Sequence, residues 1–204
     1  LGLYLHIPFC KQKCVYCDFY SLPRAESRMD DYTDALCAHL TETAPFAADH
    51  LVDTVYLGGG TPSYLGTKRL TKILKVVLKR FKVARDAEIT LEANPDSAGD
   101  WKALRTLRKC GFNRISLGMQ SADDTELAEI GRVHTMAQVS AAVEAARKAK
   151  FENLSLDLIY GLPHQTLEGW QRNLSAAVDL APEHLSCYGL KVEECTPLFA
   201  RRAT

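Results

Sequence analysis

The chain has 204 residues, 47% of them hydrophobic and 25% charged, with 25 Lys and Arg set against 25 Asp and Glu. That length supports one domain with a sizeable core. The neutral balance removes the electrostatic reason to expect nucleic acid or an anionic membrane as partner, and no apolar run approaches the roughly 18 residues of a membrane span.

Strand-length apolar runs alternate with segments of helical period. Leu3–Ile7 is a short strand closed by Pro8. From Asp31 to Ala44 the spacing is helical, with Tyr32, Ala35, Leu36, His39 and Leu40 on one face. Thr54–Leu57 is a strand that stops at three glycines. Leu70 to Phe81 is an amphipathic helix whose stripe is Leu70, Ile73, Leu74, Val77, Leu78 and Phe81, with lysines opposite. Glu88–Glu92 is a strand ended by Asn94-Pro95. A helix from Trp101 to Lys109 follows, with Gly111 as its C-cap. Arg114–Leu117 is the fourth strand, Met136 to Lys150 an Ala-rich helix, Leu154–Tyr160 the fifth strand, Glu168 to Leu180 a helix and His184–Leu190 the sixth strand.

Regular strand–helix alternation means parallel strands with crossover helices. Two architectures fit: a doubly wound open sheet, or a β/α barrel, full or partial. The whole chain reads as one domain with no linker or low-complexity stretch. The chain stops just after the sixth strand, at Arg201-Arg202-Ala203-Thr204, without the crossover helix that the alternation calls for, so residues 1–204 read as part of a longer protein. The missing initiator Met likewise points to a trimmed N-terminus, and Leu1 to Phe9 has no basic flank of the kind a signal peptide carries.

Seven cysteines are an odd number in a chain that can fold without disulfide staples. They indicate a reducing, cytoplasmic compartment. Cys37 and Cys110 fall in helices and Cys187 in a strand, where all three read as small buried apolar residues, while Cys195 has no role. The other three form CKQKCVYC: Cys10, Cys14 and Cys17. Three thiolates in one loop can ligate three irons of a [4Fe–4S] cube and leave the fourth iron open. The amino and carboxylate groups of S-adenosylmethionine can chelate an open iron. One electron then breaks a carbon–sulfur bond and yields a 5′-deoxyadenosyl radical, chemistry that belongs to the cofactors. The alternative is a structural zinc with His6 as fourth ligand, but zinc sites usually pair two cysteine clamps and a second clamp is missing.

In both architectures ligands gather at the carboxyl ends of strands. There the unusual residues fall: the cysteines after strand one, Gly58–Gly60 after strand two, Glu92 ending strand three, Gln120 after strand four and Asp157 near the end of strand five. Three consecutive glycines exceed what a tight turn needs and let backbone approach a ligand. Asp157 sits in the apolar run Leu154–Ile159, where a carboxylate needs a partner.

Taken together, YLHIPFCKQKCVYCDF, YLGGGTPS, LEANP, RISLGMQS, GRVHT and DLIYGLP resemble the radical S-adenosylmethionine family that contains oxygen-independent coproporphyrinogen III oxidase (HemN) and the heme chaperone HemW, from Tyr4 to about Phe199. The resemblance implies a partial (β/α)6 barrel with a [4Fe–4S] cluster on Cys10, Cys14 and Cys17 and bound S-adenosylmethionine. It implies further that Gly59, Gly60 and Thr61 contact the methionyl amino group and that Glu92, Gln120, Arg132 and Asp157 bind the cofactor. Their chemistry suggests Arg132 for the carboxylate, Glu92 for the amino group, and Gln120 and Asp157 for the ribose hydroxyls. Tyr4 and Tyr16 match family positions that line the site, the second near a further S-adenosylmethionine. His134 and His164 read either as loop polar groups or as residues reaching a porphyrin.

The oxidase pattern has another cysteine two residues after the third, where this chain has Phe19. That departure, with LSCYGLKVEECTPLF and its Glu193 and Thr196, matches the heme-chaperone branch. The resemblance therefore implies a protein that binds heme, takes electrons from a donor protein and delivers heme to an acceptor protein. Oxidative decarboxylation of coproporphyrinogen III propionates is the alternative, and a zinc-stabilised domain without radical chemistry is the third reading.

Overall fold

The computed structural model describes residues 1–201. Six strands form one parallel sheet in sequential order: β1 Gly2–Ile7, β2 Val52–Gly59, β3 Val83–Ala93, β4 Arg114–Gln120, β5 Asn153–Tyr160 and β6 His184–Gly189. The crossovers carry helices α1 Met29–Thr43, α2 Thr67–Arg80, α3 Trp101–Cys110, α4 Asp124–Glu129, α5 Met136–Lys148 and α6 Leu167–Asp179, and a short helix α7, Pro197–Arg201, follows β6.

The sheet's two faces follow from strand periodicity. In β3, Ala87, Ile89, Leu91 and Ala93 are buried against helices, whereas Glu88 and Glu92 point to the other side. In β5, Leu154, Leu156 and Leu158 are buried and Asp157 alternates with them. Helices on one face leave the opposite face concave, which is a partial barrel and not a doubly wound sheet. Local chemistry sets the helix ends. Asp100 accepts from the backbone of Lys102 at 2.8 Å, Thr135 and Gln138 close a capping box, and Gly111 ends α3 at φ 132°.

Several expected boundaries move. β2 runs through Gly58 and Gly59, because glycines pair with His6 and Ile7 of β1 as well as any residue does. β4 continues to Gln120 through an irregularity after Leu117, with Gln120 itself at φ 65°. The buried face of α1 is Met29, Thr33, Cys37 and Leu40; Ala35 and His39 are exposed. Leu78 lies at the margin of the α2 stripe and is 41% exposed. Cys187 is exposed as well, because it sits on the edge strand β6. Helix α7 occupies the place where the sequence pattern shows no helix; Arg202, Ala203 and Thr204 lie outside the described residues.

Candidate cofactor site

The cysteine loop is pinned on two sides. On one, the glycine loop extends the β1–β2 ladder: the Gly60 N–H donates to the Ile7 carbonyl at 2.8 Å and the Thr61 N–H to Phe9 at 2.8 Å. A Cβ on Gly60 would meet both carbonyls at 2.9 Å and the Cys10 sulfur at 3.0 Å, so only glycine fits. On the other side, the Val15 N–H donates to the Ile130 carbonyl at 3.2 Å, and Gly131, at φ 76°, packs against Val15. The segment after β6 closes over the same loop. The Leu198 N–H donates to the Val15 carbonyl at 2.9 Å, and the Cys195 thiol to Asp18 Oδ1 at 2.6 Å.

All seven cysteines are free thiols. Cys10, Cys14 and Cys17 line one cavity of about 560 Å³ on the concave face. Burial pushes the Cys10 and Cys17 thiols up, so each keeps its proton until a metal displaces it. Among the described residues no three His, Cys, Asp or Glu side chains sit close enough to hold a single metal ion. A cube takes each thiolate on a different iron and has no such requirement. His6 is not a free ligand: its Nε2–H donates to the Tyr20 carbonyl at 2.8 Å, leaving Nδ1 to accept from Tyr4 Oη at 3.1 Å.

The same cavity is lined by Tyr16, Gly59, Gly60, Thr61, Glu92, Gln120, Arg132 and Asp157. Glu92 Oε1 accepts from Tyr56 Oη at 2.6 Å and Oε2 from the Gly59 N–H at 3.0 Å. Asp157 finds the partner its apolar strand requires in Ser116 Oγ, at 3.0 and 3.1 Å from its two oxygens, and in Ser186. Burial pushes both carboxyls above their ordinary range. Gln120 Oε1 accepts from Tyr188 Oη at 3.0 Å. Arg132 donates through Nη2 to Asn94 Oδ1 at 2.7 Å and to the Gly118 carbonyl at 2.9 Å, while its buried Nε has no partner. The guanidinium is thus fixed with a donor left over for a ligand oxygen.

Tyr4 is not brought into the cavity. It is 60% exposed and stacks on Tyr56, ring centroids 6.1 Å apart. His134 is buried with Nε2–H donating to the Met119 carbonyl at 3.1 Å, and His164 is exposed beside Glu129. Tyr56, Asn94, Ser116, Ser186, Tyr188, Lys191 and Glu193 also line the cavity. Sequence reading named none of them as lining the site, Glu193 standing there only as a marker of the heme-chaperone branch. Strand parity was the available signal for Tyr56, two residues before Gly58, and for Ser116, which pairs directly with Glu92.

A family model for the Radical SAM superfamily matches residues 4–176. The heme chaperone HemW of Bacillus subtilis (strain 168) is 39% identical over 197 residues, covering 96% of this chain and 52% of that protein. HemW of Escherichia coli (strain K12) is 41% identical over 205 residues, covering 99% and 53%. A solved structure of coproporphyrinogen III oxidase (HemN) from Escherichia coli, described as a radical SAM enzyme, superposes with a TM-score of 0.86 at 34% identity, covering 93% of this chain and 44% of that one. The chain thus spans about half the length of the curated relatives it matches.

Proposed function

Because the chain belongs to the radical SAM superfamily, which implies a [4Fe–4S] cluster and S-adenosylmethionine, we propose that it is the cofactor-binding barrel of a cytoplasmic heme chaperone. The observation that carries this reading is the similarity, at about 40% identity over nearly the whole chain, to proteins named as heme chaperones. Phe19, where the oxidase pattern has a further cysteine, supports it. Free thiols throughout the described residues suit a reducing cytoplasm, and no helix among them is long and apolar enough to cross a membrane.

When bound, the cluster and S-adenosylmethionine supply one-electron cleavage of a carbon–sulfur bond. The protein's part is positional. Cys10, Cys14 and Cys17 hold three irons. The backbone of Gly59, Gly60 and Thr61 approaches the methionyl amino group, and Glu92, already oriented by Tyr56, carries the opposing charge. Arg132 offers its spare N–H to the carboxylate, and Gln120 and Asp157 receive ribose hydroxyls. Tyr16 covers the apolar floor with Ile130, Ile159 and Leu162. Tyr4 reaches the site indirectly, through its stack on Tyr56 and its hydrogen bond to His6. An electron-donor protein and a heme-acceptor protein complete the proposed cycle.

The two family activities differ in what they require of the porphyrin. An oxidase releases decarboxylated product over many turnovers, whereas a chaperone holds heme and passes it on. The full-length protein is expected to co-elute with heme, seen as a Soret band, and to leave coproporphyrinogen III unchanged in the presence of reductant and S-adenosylmethionine. Multiple-turnover formation of protoporphyrinogen IX would overturn the chaperone reading in favour of the oxidase.

A further inference from the structure

Resting on the reading that Cys10 and Cys14 ligate the cluster, we propose that Asn94 is a positioning residue that raises the cluster's reduction potential by aiming one donor at each of those two sulfurs. Three contacts define the hub. Asn94 Oδ1 accepts from Arg132 Nη2 at 2.7 Å, Asn94 Nδ2 donates to Thr61 Oγ1 at 3.2 Å, and the Asn94 backbone N–H is held by Ser63 Oγ at 3.2 Å.

The direction of every bond follows from donor inventory. Arginine has no acceptor, so the oxygen of the Asn94 amide must face Arg132 and its nitrogen must face Thr61. Thr61 Oγ1 is therefore an acceptor toward Asn94, and its own hydrogen is free for the Cys10 sulfur at 3.6 Å. Arg132, fixed through Nη2, directs Nη1 at the Cys14 sulfur at 3.7 Å. One amide, donating on one side and accepting on the other, thus orients a hydroxyl and a guanidinium toward two thiolates. A carboxylate at this position could keep Arg132 but could not donate to Thr61. The threonine hydrogen would turn to the carboxylate and leave Cys10.

Reduction of an iron–sulfur cluster adds one negative charge to the cube and its thiolates, and hydrogen bonds to the sulfurs stabilise that charge. Losing them lowers the potential. The test is a redox titration of the anaerobically reconstituted full-length protein without S-adenosylmethionine, followed by electron paramagnetic resonance, with iron and sulfide content measured alongside. Asn94→Asp is expected to assemble a full cluster whose reduced-to-oxidised ratio at fixed poise falls at least tenfold, which is 59 mV for a one-electron couple. Asn94→Ala and Thr61→Val shift it the same way by less, and Thr61→Ser, which keeps the hydroxyl, titrates with wild type. Adding Thr61→Val to Asn94→Asp changes nothing further, because that hydroxyl has already turned away. Wild-type potentials in Asn94→Ala and Thr61→Val overturn the proposal. Should the Asn94 variants assemble no cluster, Thr61→Val against Thr61→Ser decides alone. A wild-type protein that assembles no cluster on these cysteines defeats the underlying reading instead.

Discussion

The two faces of the one sheet are built from the same strands and obey opposite rules. On the face toward the helices, Leu57, Leu91, Ile115, Leu117, Leu154, Leu156 and Leu158 are all fully buried in a continuous apolar layer. On the concave face, one residue away along each strand, stand Tyr56, Glu92, Ser116, Asp157 and Ser186, tied by side-chain hydrogen bonds into two sets, Tyr56 with Glu92 and Asp157 with Ser116 and Ser186. The first face holds the molecule together through area removed from water. The second holds buried polar groups that a folding criterion alone would replace by aliphatic ones. Its composition makes sense only for a polar, charged ligand.

The largest effect that separates the faces is all-or-none. Changing Cys10, Cys14 or Cys17 to Ala is expected to abolish most of the cluster's charge-transfer absorbance after anaerobic reconstitution, while Cys37→Ala and Cys110→Ala retain it. Cys14 and Cys17 lie outside the apolar core clusters, so the unfolding free energy of the apo form, from urea denaturation, should change by no more than about 0.5 kcal/mol for either. A Cys14→Ala protein with a full cluster would remove that ligand from the assignment.

The reverse pattern is expected on the helix side. Leu117→Ala or Leu156→Ala, each fully buried, should lower the unfolding free energy by about 2–5 kcal/mol through lost transfer energy and a residual cavity. Urea denaturation measures this. The fraction that remains folded should still bind the cluster in full stoichiometry. Loss of cluster in that fraction would mean that the two faces are not separable.

How far this division is legible in the sequence depends on what sets each residue's place. Alternation of Leu154, Leu156 and Leu158 with Ser155 and Asp157 is written in the chain, as is the Cys10–Cys14–Cys17 spacing, and both carry directly into the structure. The six strands were legible because each is an apolar run bounded by Gly or Pro. Partners fixed by register between distant strands were not. Nothing near Tyr56 in sequence says that it pairs with Thr90 of β3 and so puts its Oη within reach of the Glu92 carboxylate two residues on. The short polar helix Asp124–Glu129 has too few turns to show a stripe. The position of Gln120 depends on a backbone irregularity that no propensity signals. Tyr4 shows the limit of a motif match. Family position puts it at the site, while its place on the edge strand β1 leaves it largely in solvent.

A pH titration probes the rim where the two faces meet. His134 is buried behind Met119, and burial, reinforced by the Arg132 charge, pushes it down to about 4 from an ordinary value near 6.5. Between those values the unfolded chain takes up a proton that the folded one refuses. Stability from this group is therefore complete above about pH 6.5 and is lost as pH falls toward 4, by about 3 kcal/mol at most. His134→Gln, which can still donate to the Met119 carbonyl, should flatten the slope of stability against pH in that window. An unchanged slope in the variant would assign the acid sensitivity to other groups.

The smallest effect is the one that states the comparison most directly. Asp157 lies in β5 between leucines, and its carboxyl is pushed up by burial despite two serine donors. A carboxyl whose folded value lies above its unfolded value binds protons more readily in the folded state. It therefore works against folding at neutral pH, and that cost fades as pH drops through the window between the two values. Asp157→Asn keeps the shape and still accepts from Ser116, but carries no charge to desolvate. The apo protein should then be as stable as wild type or more stable, by about 1 kcal/mol or less, and its stability should depend less on pH from the ordinary carboxylate range upward, where the raised Asp157 carboxyl titrates. S-adenosylmethionine affinity, measured on cluster-loaded protein by equilibrium dialysis, should fall. Gain in one measurement with loss in the other is the signature of a residue kept for its ligand. If Asp157→Asn destabilises the apo protein by more than about 2 kcal/mol, the carboxylate is part of the sheet's own support and the concave face is less purely a binding surface than its composition implies.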